Sequence, residues 1–314
     1  MKAMRVRAWG EPPVLEEIAA PARRAGHSLV RMQAATVGHI DRTVWGGAFL
    51  RPPPLPYTPG VEAAGVVVAS DRFDTGQRVW LRGAGLGTQI DGTWCELIDA
   101  PDAALGLLPP QVDAQLGSAF FSPCTSAWVA LHEIARLRAG EHVLVTGATG
   151  AVGSIVVQLA LQAGARVTAA LGDAARAGDV PAGAEIVAID PASHIGCEAL
   201  RADLLVDTVG GALLAAVLPA VVPGGRAVLV GYTGGNTLGL ELAQFLQRDV
   251  ALLPLNMFRR EAAGRAVAPE LLARLGDGRL RLQVTRFALS DAATALQWIT
   301  ERGHRGRAVL VPRE

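Results

Sequence analysis

Lysine is almost missing from this chain. Lys2 is the only one, and every other basic side chain is an arginine. Without internal lysines there is no amine for Schiff-base chemistry away from the N-terminus. Net charge is missing too, because 29 basic and 29 acidic residues cancel. No basic stripe exists to displace counterions, so neither a nucleic acid nor a membrane surface is expected as a partner. Long apolar runs are also lacking. The longest, "ALLAAVLPAVV", is interrupted by Pro219 and too short to span a bilayer. The opening "MKAMRVRAWGEPP" lacks the apolar core of a signal peptide, and a cytoplasmic location is the expectation. The three cysteines, Cys95, Cys124 and Cys197, lie far apart and make neither a disulfide framework nor a metal knuckle.

Glycine (36) and proline (19) are plentiful, and half of the 314 residues are hydrophobic. That length exceeds one compact core of ordinary size, so two domains are expected. The first 110 or so residues are short alternating runs such as "SLVRMQAAT", "AAGVVVAS", "QRVWLRG" and "TWCELIDA", separated by turn clusters such as "RPPPLPYTPG". They predict an irregular, mostly β head. From Ser118 to Asp249 strand and helix alternate: "TSAWVALHEIARL" as helix, "HVLVT" as strand, "AVGSIVVQLALQAG" as helix, then strands "RVTAA", "AEIVAID" and "DLLVDT", helix "GALLAAVLPAVV" and strand "RAVLVG". Such alternation predicts βαβ units around a parallel sheet, with "DVALLPL" at its far edge. The tail reads as helix "APELLARLGDG", strand "LQVTRFAL", helix "DAATALQWITERG" capped by Ser290 and stopped by Gly303, and strand "RAVLV". The fold class is therefore α/β: a Rossmann-type domain over 118–249, with 1–117 and 250–314 forming one discontinuous, mostly β domain.

The stretch "VLVTGATGAVGS" sets a glycine-spaced turn between a β-branched run and an amphipathic helix. Its frame, Ala148-x-Gly150-x-x-Gly153, is a variant of the dinucleotide fingerprint with alanine first. Ala148, Thr149, Gly150, Ala151, Val152 and Gly153 are thus the candidate diphosphate cradle. Gly150 admits close approach of the backbone to the phosphates, and Gly153 lets the helix sit near the sheet. NAD-specific sites carry an acidic residue at the tip of the second strand, where it binds the ribose 2′-hydroxyl. Here that tip reads "VTAALGDAAR": Ala170 and Leu171 fill the expected positions, Gly172 follows, and Asp173 falls late, as a helix cap. Arg176, one turn on, is either a partner for a 2′-phosphate or an exposed helix arginine. NADPH is the expected cofactor.

The order of these signals resembles the medium-chain dehydrogenase/reductase superfamily, in its zinc-free quinone oxidoreductase-like branch. The resemblance runs through "MKAMRVRAWGEPPVLE", "LPYTPGVEAAGVV", "DGTWCELI", "TSAWVAL", "VLVTGATGAVGSIVVQLALQAGARV", "LLVDTVGG", "PGGRAVLVG" and "GRAVL". It implies that the discontinuous β domain is GroES-like and catalytic. Zinc-dependent relatives place a cysteine before a short step to Asp, and a His-Glu pair after a glycine. In "TVGHID" and "PGVEAAG" the cysteine is replaced by Gly38 and the histidine by Val61, leaving Glu62. A catalytic zinc needs about three protein ligands, so no metal is expected. Alkoxide stabilisation by a Lewis acid is then missing, whereas conjugate reduction delocalises charge into an enolate that a few hydrogen-bond donors stabilise. The resemblance thus implies NADPH-dependent reduction of a quinone or an enone, in a homodimer. A metal-free alcohol dehydrogenase, a biosynthetic tailoring enoyl reductase and a non-catalytic NADPH-binding or sensing protein are the alternatives.

The resemblance places nicotinamide near "PCTSAW" and substrate near "GHID" and "LPYTPG". Tyr57 is either a proton donor to an enolate or a tyrosine packed on prolines. Asp41 matches an aspartate common near the family's active site, or braces its loop. His39, where many relatives have proline after an asparagine, is either a replacement donor or a structural histidine. Trp94 is an aromatic substrate wall or core. On the cofactor side the candidates are Ser126, Gly231 and Tyr232; Asn256, Met257 and Phe258 are candidates for the substrate pocket, or core residues at a bend.

Overall fold

The computed structural model describes residues 1–189, 197–301 and 303–312. The chain divides into two units, one of residues 1–121 and 272–314 and the other of residues 122–271. Expected boundaries at 117/118 and 249/250 differ from these by a few residues at the first junction and by about one helix at the second.

The first unit opens with an antiparallel pair, β1 (Lys2–Arg5) and β2 (Val14–Glu17). β3 (His27–Val37) follows, with Ser28, Val30, Met32 and Ala34 buried and the residues between them more open, the period of a strand covering a core with one face. A short helix, α1 (His39–Trp45), leads to β4 (Glu62–Ala69), β5 (Arg78–Arg82), β6 (Leu97–Pro101), β7 (Leu105–Leu107) and α2 (Ala114–Ala119). Asp113 caps α2, its carboxylate accepting the Leu116 N–H at 2.8 Å.

In the second unit, α3 (Ser126–Trp128) lies between two wide π-helical stretches, Phe121–Thr125 and Val129–Ile134. The expected regular helix is therefore interrupted, and the first wide stretch holds Pro123, which has no N–H and crowds the preceding turn. Then come β8 (His142–Thr146), α4 (Ala151–Gln162), β9 (Arg166–Leu171), β10 (Glu185–Ala188), β11 (Ala202–Asp207), α5 (Gly211–Val217), β12 (Val221–Leu229), α6 (Leu242–Arg248) and β13 (Ala251–Pro254). The strands form one parallel sheet in the order β10-β9-β8-β11-β12-β13. β8 is buried throughout, as expected of a central strand covered on both faces. Two expectations change here. The helix read through Val222 ends at Val217, because Pro219 turns the chain and β12 begins at Val221. The strand read over 184–190 forms over Glu185–Ala188, and Asp190 lies outside the described residues.

The junction between 271 and 272 falls inside α7 (Glu261–Gly276), which starts seven residues before the expected Ala268 and carries Pro269 internally. Beyond it, β14 (Val284–Ala288), α8 (Ala292–Trp298) and β15 (Arg307–Val311) return to the first unit. Its seven-stranded sheet runs β14-β15-β3-β4-β5-β7, with β6 also paired to β3. Met4, Val30, Leu81, Trp94, Ile98 and Leu310 are among its core residues. Ser290 does not cap α8: a 3₁₀ turn over Leu289–Asp291 absorbs it, and its hydroxyl donates to Asp291 at 2.9 Å. Among the described residues no helix is long and apolar enough to cross a membrane.

Candidate functional site

In the parallel-sheet unit the chain leaves β8 at Thr146 and turns sharply into α4. Gly147 takes φ +62°, and a Cβ there would meet the Thr208 hydroxyl oxygen at 2.3 Å. Gly150 occupies the N-terminal cap of α4, its N–H donating to the Gly147 carbonyl at 2.8 Å. Gly153 is held against the turn, since a Cβ on it would lie 2.2 Å from the Gly147 oxygen. Ala148 is buried, while Thr149, Gly150, Ala151 and Val152 stay partly open around the first turn of the helix. That helix end offers backbone N–H groups without helical partners, and its dipole favours an anion.

The tips of β8 and β11 are tied beneath this turn. The Thr146 hydroxyl donates to Asp207 at 2.5 Å, the Thr208 N–H donates to the Thr146 hydroxyl at 3.1 Å, and the Thr208 hydroxyl donates to the Thr146 carbonyl at 2.9 Å. The other Asp207 oxygen accepts the Gly210 N–H at 2.8 Å. Burial pushes the Asp207 carboxyl above its ordinary pKa, against these hydrogen bonds. Gly231 packs on the same loop, where a Cβ would meet the Thr208 carbonyl oxygen at 2.1 Å, and Tyr232 next to it is exposed.

Because all six strands are parallel, their carboxyl ends lie along one edge of the sheet. Residues 148–153, Gly172, Gly231, Tyr232 and Asn256 thus follow β8, β9, β12 and β13 at that edge. From β8 the sheet grows outward in both directions, to β9 and to β11. The point between β8 and β11 is a topological switch, where open α/β sheets bind ligands. Ser126 is buried in α3, which packs against α4. Asn256 closes a turn by accepting the Arg259 N–H at 3.2 Å; Met257 is half-buried beside Gly264, and Phe258 is exposed.

In the β-rich unit, a buried charge cluster lies around the stretches where zinc-dependent relatives carry ligands. The Gly38 N–H donates to Asp41 at 2.8 Å, closing the first turn of α1. The second Asp41 oxygen is buried and has no hydrogen-bond partner among the described residues. Burial raises this carboxyl to about 7; the Gly38 hydrogen bond, Arg307 and Arg82 oppose the rise, and the charge of Glu62 adds to it. Glu62, at the start of β4, is paired with Arg307 and lies 3.6 Å from Arg82, directly opposite on β5. It also accepts the Thr36 hydroxyl at 3.3 Å. His39 is exposed yet crowded: desolvation, then the positive charges of His304, Arg307 and Arg42, hold its pKa below the ordinary value.

Tyr57 and Trp94 both sit in the core. Tyr57 packs with Val6 and Val44, its ring 5.6 Å from that of Trp9, and its buried hydroxyl has no hydrogen-bond partner among the described residues. Burial, then the charge of Asp41, raises its pKa. The Trp94 indole donates to the Thr36 carbonyl at 2.8 Å and fills the space over Gly60, where a Cβ would lie 2.3 Å from the ring. His39 is therefore the one open side chain of the three proposed for catalysis, and the Trp94 ring is enclosed by core rather than open to a pocket.

Residues 24–110 match the family of alcohol dehydrogenase GroES-like domains, and residues 184–310 match the family described as zinc-binding dehydrogenases. Quinone oxidoreductase of Pongo abelii is 35% identical over 179 residues, covering 55% of this chain and 53% of that protein. Quinone oxidoreductase of Homo sapiens is 28% identical over 274 residues, covering 82% of this chain and 80% of that protein. The Thermus thermophilus quinone oxidoreductase, whose structures include a complex with NADPH, superposes with a TM-score of 0.81 at 28% identity over 99% of this chain and 100% of its own. The chain belongs to the medium-chain dehydrogenase/reductase superfamily, in its quinone oxidoreductase-like branch.

Sequence reasoning missed several residues. Gly147 carries the left-handed backbone one position ahead of the fingerprint frame. Arg82 and Arg307 neutralise Glu62, and the only hint in the sequence was a lone glutamate in an apolar stretch, which needs a counter-charge. Thr146 and Asp207 brace the turn from two strands that lie 61 residues apart in the chain.

Proposed function

We propose that this protein is a zinc-independent, NADPH-dependent reductase of quinones or of the activated C=C bond of α,β-unsaturated carbonyl compounds. The observation that carries the reading is the glycine cradle, Gly147 to Gly153, which opens α4 at the switch point of the parallel sheet. Its shape suits a diphosphate: at Gly150 a Cβ would meet only the Gly147 oxygen, at 3.2 Å, so the outer side of the turn is open to phosphate oxygens. Residues Ala148 to Gly153 hold the diphosphate, Arg176 the 2′-phosphate, and Gly172, Gly231, Tyr232 and Ser126 line the rest of the cofactor site. The chemistry bound NADPH supplies is hydride.

Support for zinc independence comes from the donor set: Gly38 and Val61 offer no ligand atoms, and among the described residues no three His, Cys, Asp or Glu side chains are grouped to hold a metal. His39, exposed and neutral near pH 7, donates an N–H to the oxygen that gains charge during reduction. Asp41 braces the first turn of α1, which carries His39, and Asn256, Met257 and Phe258 contribute to the substrate pocket. The exposed Leu242 and Leu246 of α6, near the edge strand β13, support a homodimer.

The test is NADPH consumption by chelator-treated protein offered a small quinone and then an acyclic enone, with NADH in parallel. Turnover with either acceptor and preference for NADPH is the expected result. Tight NADPH binding without consumption identifies a sensor instead, and activity that returns only with added zinc overturns zinc independence.

A further inference from the structure

We propose that Asp179 competes internally with the 2′-phosphate for Arg176, and so sets how strongly the site separates NADPH from NADH. The proposal rests on the reading of Arg176 given above. β9 runs beside β8 with Ala170 opposite Thr146, which puts the tip of β9 about one strand spacing, ~4.8 Å, from the glycine turn. Gly172 then leaves open space, since a Cβ there would meet nothing within 4 Å.

The chain next winds into a 3₁₀ helix, Ala174–Asp179. With three residues per turn, positions 176 and 179 lie one above the other on this helix. That pair reads Arg, Asp. Asp173 is engaged as the cap, its carboxylate accepting the Ala175 N–H at 2.9 Å. Asp179 is engaged with Arg176, whose Nε donates to its carboxylate at 3.4 Å. The Arg176 side chain is 24% exposed and that of Asp179 10%, so solvent only partly screens the pair.

A 2′-phosphate arriving at Arg176 therefore meets an arginine already paired with a carboxylate. To bind, it has to take the guanidinium from Asp179 while standing close to that negative charge. A ribose 2′-hydroxyl, being neutral, meets no such opposition. Asp179 is thus a positioning residue that acts through Arg176 and weakens binding of the phosphorylated cofactor alone.

The experiment titrates 2′,5′-ADP and 5′-AMP, which differ only by the 2′-phosphate, into wild type, Asp179→Asn, Asp179→Ser and Arg176→Gln by calorimetry. The serine variant covers the case in which asparagine re-forms a hydrogen bond to Arg176. Even at full aqueous screening, removing one nearby charge is expected to tighten 2′,5′-ADP binding about five- to tenfold, with 5′-AMP changed less than twofold. In the Arg176→Gln background most of that gain should vanish. If Arg176→Gln selectively loses 2′,5′-ADP while both Asp179 variants bind like wild type, the phosphate reading stands and Asp179 has no such role. If Arg176→Gln leaves 2′,5′-ADP unaffected, the phosphate reading falls and this proposal with it. Equal shifts for both nucleotides in the Asp179 variants also overturn the proposal, since they mark a structural effect.

Discussion

The Glu62 carboxylate is bridged to the guanidinium of Arg307, 245 residues further along the chain. The glutamate is almost completely buried, so its charge has little water to rely on and depends on Arg307, on Arg82 and on the Thr36 hydroxyl. Arg307→Met should therefore destabilise the fold by about 3 kcal/mol, mostly through the stranded carboxylate. Adding Glu62→Gln to that variant should recover a large part of the loss. Urea unfolding of the two single variants and the double variant closes the cycle; additive losses would mean that the pair is not coupled.

Two glycines of one turn should respond differently to the same change. Gly153→Ala drives a methyl group into the Gly147 carbonyl at 2.2 Å, which is backbone and cannot give way cheaply. It should cost about 1–3 kcal/mol of stability and weaken NADPH binding by displacing α4. Gly150→Ala meets the same oxygen at 3.2 Å with an ordinary φ of −82°, so the fold should survive with little change in Tm. If the cradle holds the diphosphate as proposed, this methyl group crowds it, and NADPH affinity should fall more than tenfold. Fluorescence titration beside thermal unfolding separates the two outcomes.

How much of this was readable from sequence depended on the distance over which the physics acts. The α4 pattern, the β8 run and the glycine turn are local, and each formed where periodicity and turn chemistry put it. The wide turns around α3 and the early start of α7 were not readable, because proline obeys its neighbours' packing as well as its own ring. Tyr57 looked like a loop residue among prolines and lies in the core, since Val6 and Val44 arrive from other segments to cover it. Arg307 was invisible as a site residue for the same reason: β15 reaches β3 only through the completed sheet.

The edge of the parallel sheet predicts self-association. Among the described residues β13 pairs on one side only, and in the adjoining α6 no residue is buried, with Leu242 68% and Leu246 73% exposed. Sedimentation velocity should report a dimer for the wild type. The double variant Leu242→Glu, Leu246→Glu should run as a monomer with its Tm changed by no more than a few degrees. A monomeric wild type would remove this surface from consideration.

His39 should matter to the rate rather than to stability. It lies exposed on α1, next to the Asp41 cap and in the positive field of Arg307, Arg42 and His304. Loss of one hydrogen-bond donor to a developing oxyanion costs about 10²–10³ in kcat. His39→Ala should show that loss in NADPH oxidation with unchanged cofactor affinity, and His39→Gln should restore part of it. Full activity in His39→Ala would assign the donor to another group.

Asp41 makes a prediction about pH whose sign follows from burial. Its carboxyl is raised to about 7 in the folded chain, against 3.8 for an ordinary aspartate. Below pH 4 both folded and unfolded chains hold the proton, and the contribution to stability is at its greatest. Between pH 4 and 7 the unfolded chain releases the proton while the folded chain keeps it, so stability falls as pH rises. Above pH 7 both are ionised and the loss levels off, at up to about 4 kcal/mol. Asp41→Asn keeps an oxygen to accept the Gly38 N–H but cannot titrate. Its urea midpoint should therefore gain on that of the wild type from pH 4 to 7 and hold a constant lead above. Parallel curves for the two proteins across pH 4–8 would mean that Asp41 ionises in the folded state as readily as in water.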